Sequence, residues 1–241
     1  MGWQNSLAVW IVPALMGMLV WWSYRTLSIH AQDVTTAQME PSSAEASAEK
    51  ERSVFRSPMA WWLTLLMGAQ SFLFYFFTAW LPGIAQYKGI SPGFAGYIAF
   101  VFQLSTIPAA FLIPTLAAKR KDQRGIITLV TALYLCSLAA LFGSCSKVLL
   151  TIAIALCGFA TGSCFNLCML LISLKTRSAA RATSLSGMVQ SFGYGLGAVG
   201  PLMGGWLFDL TGNWTAAFGC VALLILTIFF SGRLAGRNRY I

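Results

Sequence analysis

Apolar residues run through the chain in seven blocks, over 3–22, 58–81, 94–117, 125–143, 148–174, 183–208 and 213–230. Each block is close to the ~20 residues an α-helix needs to cross the hydrocarbon of a bilayer. The pattern therefore predicts an all-α integral membrane protein with seven transmembrane helices. The connections between the last six blocks are short, which makes those helices antiparallel neighbours in one bundle. The first block stands apart, because a polar segment follows it that contains the run PSSAEASAEKERS and five of the seven acids. Such a segment has too little apolar surface to bury, so a mobile linker is expected, transiently helical near 44–52. The domain reading is an isolated helix over 1–24, a cytoplasmic linker over 25–57 and a six-helix bundle over 58–241. The start of the chain lacks the basic residues and small-residue cleavage site of a secretory signal, so the first apolar block is expected to be retained.

Polar and conformationally special residues interrupt the blocks in a regular way. The stretch 184–209, SLSGMVQSFGYGLGAVGPLMGGWLFD, contains seven glycines and one proline. Gly193 and Gly197 are four apart, as are Gly200 and Gly204, and each pair offers a bare backbone stripe to a neighbouring helix. Small residues serve this purpose in membranes because lipid gives apolar helices no hydrophobic reason to associate. Pro201 removes a backbone donor, which neighbouring helices and polar side chains can compensate where the helix bends or lines a cavity. Gly158 and Gly162 form a similar pair in the fifth block. Pro82 and Gly83 are expected to end the second helix, and Pro108 and Pro114 to bend the third. The fourth block is plainly apolar and reads as lipid-facing scaffold.

Composition agrees with the pattern. The 241 residues are 57% apolar and 10% charged, with a mean hydropathy of +0.70, against roughly 25% charged residues in soluble domains. The net charge of +9 would suggest nucleic acid in a soluble protein, but here position explains it. Fourteen of the sixteen Lys and Arg residues fall in alternate connections, and only Lys88 and Lys147 fall on the other side. The positive-inside rule then places the N-terminus outside and the C-terminus in the cytoplasm, in a cell or inner membrane. No nucleic-acid partner is implied. Trp21, Trp22 and Trp80 mark the membrane edges. The cysteines form no CxxC pair; Cys164 and Cys168 are one turn apart but have no histidine or carboxylate near them in sequence, so they read as packing residues and no metal or cofactor is implied. His30 falls in the polar linker and reads as a solvated side chain.

No Asp, Glu, Lys, Arg or His lies in the middle of any block. A charge at the bilayer centre costs roughly 2.5–3.5 kcal/mol and is normally retained for a task. The sequence thus offers no proton relay, no catalytic dyad and no reason to expect an enzyme. What it offers is neutral hydrogen-bonding groups: Gln70 and Tyr75 in the second helix, Gln103 in the third, Asn166 in the fifth, Gln190 and Tyr194 in the sixth. Amides and phenols suit a small polar or anionic solute that must be released as well as bound.

Two stretches are distinctive as whole strings. WWLTLLMGAQSFLFYFFTAWLPGIAQYKGISPGFAGYIAFVFQLSTIPAAFLIPTLA and LSGMVQSFGYGLGAVGPLMGGWLFDLTGNW resemble the second half of major facilitator superfamily transporters, in particular the cyanate and nitroimidazole porter branch. The resemblance covers essentially the whole chain and makes its first helix similar to the sixth of a twelve-helix carrier, the rest to helices seven to twelve. It implies alternating access by rocking of two six-helix halves around a midplane site, with Gln70, Tyr75, Gln103, Asn166, Gln190 and Tyr194 facing the solute. It also implies that five upstream helices are missing, so the partner of this bundle is a separate N-terminal half or a second copy, besides lipid and solute. One departure stands out: where the family often has LADR after its eighth helix, this chain has Leu116, Ala117, Ala118 and Lys119, so Ala118 replaces the gating acid and Asp122 lies four residues on. Topology alone fits a seven-helix receptor or sensor as well, and an inactive fragment is the third reading.

Overall fold

The computed structural model describes residues 11–32, 54–120, 122–143 and 146–237. Its long elements are all helices: α1 (Ile11–Gln32), α2 (Pro58–Tyr87), α3 (Pro92–Ala118), α4 (Arg124–Gly143), α5 (Lys147–Lys175), α6 (Ala179–Thr211) and α7 (Thr215–Ala235). The chain divides into two units, with α1 in the first and α2–α7 in the second. The expected helix near 44–52 lies outside the described residues.

Taken by itself, α1 runs ten residues past Trp22, so the backbone at His30 is helical and not part of a loop. Its apolar side chains, among them Leu15, Leu19 and Trp22, are exposed. Among the described residues five helices, α2 to α5 and α7, are long and apolar enough to cross a membrane. The longest helix, α6, is not among these five, because its glycines, serines and glutamine dilute its hydropathy. The protein is an all-α membrane protein whose most distinctive helix is its least apolar long one.

In the second unit α2 is central, packing on α6 most extensively and also on α3, α5 and α7. The other extensive pair is α3 with α5, and α4 packs against α5 and α7. Pro82 does not end the second helix as the sequence suggested. The second helix continues through Pro82 to Tyr87, and Pro108, Pro114 and Pro201 all sit inside helices. Each removes one N–H donor, and flanking turns retain theirs; the α2 end is closed by the Lys88 N–H on the carbonyls of Ile84 and Ala85. The C-terminal end of α6 is set by Gly212, whose φ of +66° is the left-handed conformation glycine adopts without strain.

Nor is α4 plain scaffold. Ile127, Val130, Tyr134 and Leu141 make a buried face, and Thr131 and Ser137 on the same face return their hydroxyls to the carbonyls one turn back. The two lysines that broke the charge asymmetry also find work in the fold. Lys88 donates through Nζ to the carbonyls of Leu141 and Phe142, the otherwise open C-terminal end of α4. Lys147 places its ammonium 5.6 Å from the Phe94 ring centroid, within cation–π range. Lys88→Met is expected to lower stability by about 1 kcal/mol, read as a lower melting midpoint in detergent, because a cation at a helix C-terminus is lost; an unchanged midpoint would remove the capping role.

Candidate functional site

Glycine sets the geometry of the site by letting two pairs of helices approach closely. Along α6, Gly193, Gly197, Gly200 and Gly204 form one buried stripe facing α2. A Cβ at Gly193 would stand 2.6 Å from Met67 Cγ, one at Gly197 2.8 Å from Ser71 Cβ, and one at Gly200 2.7 Å from the Phe72 carbonyl oxygen. On α5, Gly158 and Gly162 face α3 in the same way, and a Cβ at Gly162 would lie 2.7 Å from the Thr106 carbonyl oxygen. At Gly158 the Phe102 carbonyl oxygen leaves no room for a side chain at all. All these glycines meet a partner helix, as small residues do in membrane interiors.

One end of the α2–α6 pair carries an aromatic cluster. Trp80 donates through Nε1 to the Pro201 carbonyl oxygen at 2.8 Å, while Gly204 and Gly205 make room for its ring. Trp214 stacks nearby, 5.4 Å from Trp80 and 4.7 Å from Phe208 between centroids. Trp80 is thus more than an edge marker, since it also ties α2 to the proline turn of α6.

Between the α2–α6 pair and the α3–α5 pair lies a cavity of about 560 Å³, within the range typical of small-molecule sites. Five of the six polar residues picked out by sequence line it: Gln70 and Tyr75 from α2, Gln103 from α3, Asn166 from α5 and Tyr194 from α6. No side chain charged at neutral pH is among its lining residues. The sixth, Gln190, is elsewhere. It lines a second, more open recess between α5 and α6 with Ser173, Thr183, Ser186 and Ser191, and donates to Ser186 Oγ at 2.5 Å.

The hydrogen bonds around the cavity are specific. Gln70, 2% exposed, donates through Nε2 to the Thr161 carbonyl oxygen at 3.5 Å and accepts from Ser71 Oγ at 3.3 Å. Gln103 Nε2 donates to Thr78 Oγ1 at 3.4 Å. Asn166 donates to the Gly162 carbonyl oxygen one turn back at 2.8 Å, which leaves its amide oxygen for another partner. Behind the wall, Tyr134 of α4 donates to Thr161 Oγ1 at 3.1 Å, and Thr161 donates to the Cys157 carbonyl oxygen at 2.8 Å.

Sequence reasoning missed Thr161 and Tyr134, as well as Phe74, Phe111 and Phe165, which give the cavity its apolar surface. Tyr134 had a usable signal, as a lone phenol in an otherwise apolar helix. The three phenylalanines had none, because a lining ring and a packing ring look alike in a sequence. Asp122, four residues beyond Ala118, is engaged locally: its Oδ1 accepts from the Arg124 N–H at 2.9 Å and its Oδ2 is 3.7 Å from Arg124 Nε. Among the described residues no group of three or more His, Cys, Asp or Glu side chains could hold a metal ion.

Comparison with known proteins gives a family. The model of the Major Facilitator Superfamily matches residues 1–198. The chain is 37% identical over its whole length to YycB of Bacillus subtilis (strain 168), described as an uncharacterized transporter, and 34% identical to the 2-nitroimidazole transporter of Escherichia coli (strain K12). It is 26% identical over 95% of its length to the cyanate transport protein CynX of Escherichia coli (strain K12). The chain spans 57%, 58% and 57% of those three proteins respectively. With the family model covering most of the chain and two curated relatives matching all of it, the chain belongs to the major facilitator superfamily.

Proposed function

We propose that this chain forms the C-terminal wall of a small-solute carrier that works by alternating access across a cell membrane. The observation behind this reading is the cavity: neutral amides and phenols from four helices converge on a recess of about 560 Å³ between two closely packed helix pairs. Neutral donors and acceptors orient a polar solute without holding it as tightly as a buried ion pair would. Gln70, Tyr75, Gln103, Asn166 and Tyr194 contact the solute, and Gln190 takes part further along the path. Small nitrogen compounds and small anions of the cyanate type are the solutes to try first, since carriers of 2-nitroimidazole and cyanate are among its relatives. The N-terminus lies outside and the C-terminus in the cytoplasm, because the Lys and Arg residues concentrate in alternate connections. The other wall comes from helices of the kind that the longer relatives have, or from a second copy of this chain.

The test is uptake. Labelled 2-nitroimidazole and cyanate are offered to cells that make this chain alone, and to cells that make it behind the upstream helices of the 2-nitroimidazole transporter of Escherichia coli. Saturable uptake of either probe by the joined protein is expected. No uptake above empty cells, with folded protein present in the membrane, would overturn the carrier reading for these solutes and favour a sensor. Uptake by the chain alone would assign the second wall to another copy.

A further inference from the structure

The two glycine-packed pairs meet along a seam, and the seam is built differently from the pairs. Inside α2–α6 and α3–α5, helices touch backbone to backbone, as at Gly200 with the Phe72 carbonyl and Gly162 with the Thr106 carbonyl. Contact between the pairs, α2 with α3 and α2 with α5, is much less extensive. Two side-chain bonds cross the seam within the cavity, Gln70 Nε2 to the Thr161 carbonyl oxygen and Gln103 Nε2 to Thr78 Oγ1. They are 3.5 Å and 3.4 Å long, beyond the 2.7–3.2 Å of well-formed N–H···O bonds. Both donors line the cavity.

We propose that Gln70 and Gln103 are latches: in the empty cavity they hold the α2–α6 pair against the α3–α5 pair, and a bound solute takes their amide donors and lets the seam loosen. This rests on the reading of the cavity as the solute site. The acceptors explain the arrangement. Both bonds are long, and the Thr161 carbonyl belongs to the α5 backbone, so each amide gains little from its partner and can exchange it for a carbonyl, nitro or anionic oxygen of a solute. The exchange conserves hydrogen bonds for the glutamines but removes them from the seam. Solute binding is thereby converted into relative freedom of two helix pairs, which is what a change in affinity between two conformations requires. Tyr134 completes the device from behind, since its bond to Thr161 Oγ1 fixes the turn of α5 that Gln70 holds.

A native reporter sits in the same seam. Cys168 of α5 is fully buried with its Sγ 3.9 Å from the Leu63 carbonyl oxygen of α2, whereas Cys136 of α4 is exposed. Alkylation of the full chain in detergent by the membrane-permeant N-ethylmaleimide, mapped to each cysteine by mass spectrometry, reads opening of the seam at Cys168 against Cys136 on the outer face of α4 as reference. Gln70→Leu and Gln103→Leu remove the donors at nearly constant volume. Each is expected to raise Cys168 labelling roughly threefold and the double variant roughly tenfold, as for loss of typical interhelical bonds in membranes, with Cys136 unchanged. Unchanged Cys168 in the double variant would overturn the latch, whatever the outcome for transport. In the unaltered chain, 2-nitroimidazole at a concentration shown by equilibrium dialysis to bind is expected to raise Cys168 labelling, and to add nothing in the double variant. Binding without faster labelling would overturn the solute-driven release. Absence of binding would count against that solute in the carrier reading, and the latch then stands or falls on the variants alone.

Discussion

Valine at position 158 is expected to unseat α3 from α5 and leave little folded protein in the membrane. The space where its Cβ would go is occupied by the Phe102 carbonyl oxygen, with Ser105 Cβ only 3.1 Å away. A side chain can rotate out of the way, but a carbonyl inside a helix cannot without moving the helix. Overpacking of a well-filled interior costs about 1–3 kcal/mol and more where no rotamer change relieves it. The Gly158→Val protein should therefore lose at least about 3 kcal/mol, seen as loss of the monodisperse peak in detergent chromatography and of a cooperative melt. Gly219→Val in α7 is the matched control, since nothing of the chain lies within 4 Å of a Cβ there. Equal behaviour of the two variants would mean that α3 and α5 do not meet as described.

The second large effect concerns transport. Asn166→Ala in the joined carrier is expected to lower uptake efficiency roughly tenfold, the loss of one hydrogen bond to a buried solute, with protein levels maintained. Its amide oxygen is unclaimed by the bond to Gly162 and it lines the cavity between the two helix pairs. Gln190→Ala should change uptake by no more than about threefold, because Gln190 lies in the other recess with its donor on Ser186 one turn away, a bond of the modest strength common in membranes. On sequence alone the two residues were equivalent, as amides near glycines on cavity-facing helices. Concentration-dependent uptake of a labelled solute separates them, and a larger loss at Gln190 would move the site toward the α5–α6 recess.

The helices and their order were legible because hydrocarbon admits few backbone solutions, and a run of about 20 apolar residues has nearly one reading. The glycine pairs were legible for a similar reason: spacing by four puts bare backbone on one face. What they faced was not legible. That Gly197 meets Ser71 and Gly162 meets Thr106 depends on which helices adjoin, and a single sequence does not encode adjacency in any local pattern. The reading of Pro82 as a helix end failed because proline removes a single donor, and in a long membrane helix the turns on either side hold. Tyr134 could be noticed as a lone phenol, but its task, steadying Thr161 from behind, exists only once α4 is laid against α5.

The absence of charge from the cavity lining has an electrical meaning. Moving one elementary charge through a membrane potential of 100 mV involves about 2.3 kcal/mol, enough to bias a conformational change strongly. The lining of this cavity consists of amides, hydroxyls, phenols and apolar groups, with no Asp, Glu, Lys, Arg or His side chain among them. If this wall tilts as the carrier reading proposes, no charged side chain of its lining travels through the field. In the carrier reading the lining adds no charge of its own to such a movement, so a neutral solute would leave the cavity electrically silent while an anion would make its passage voltage-dependent.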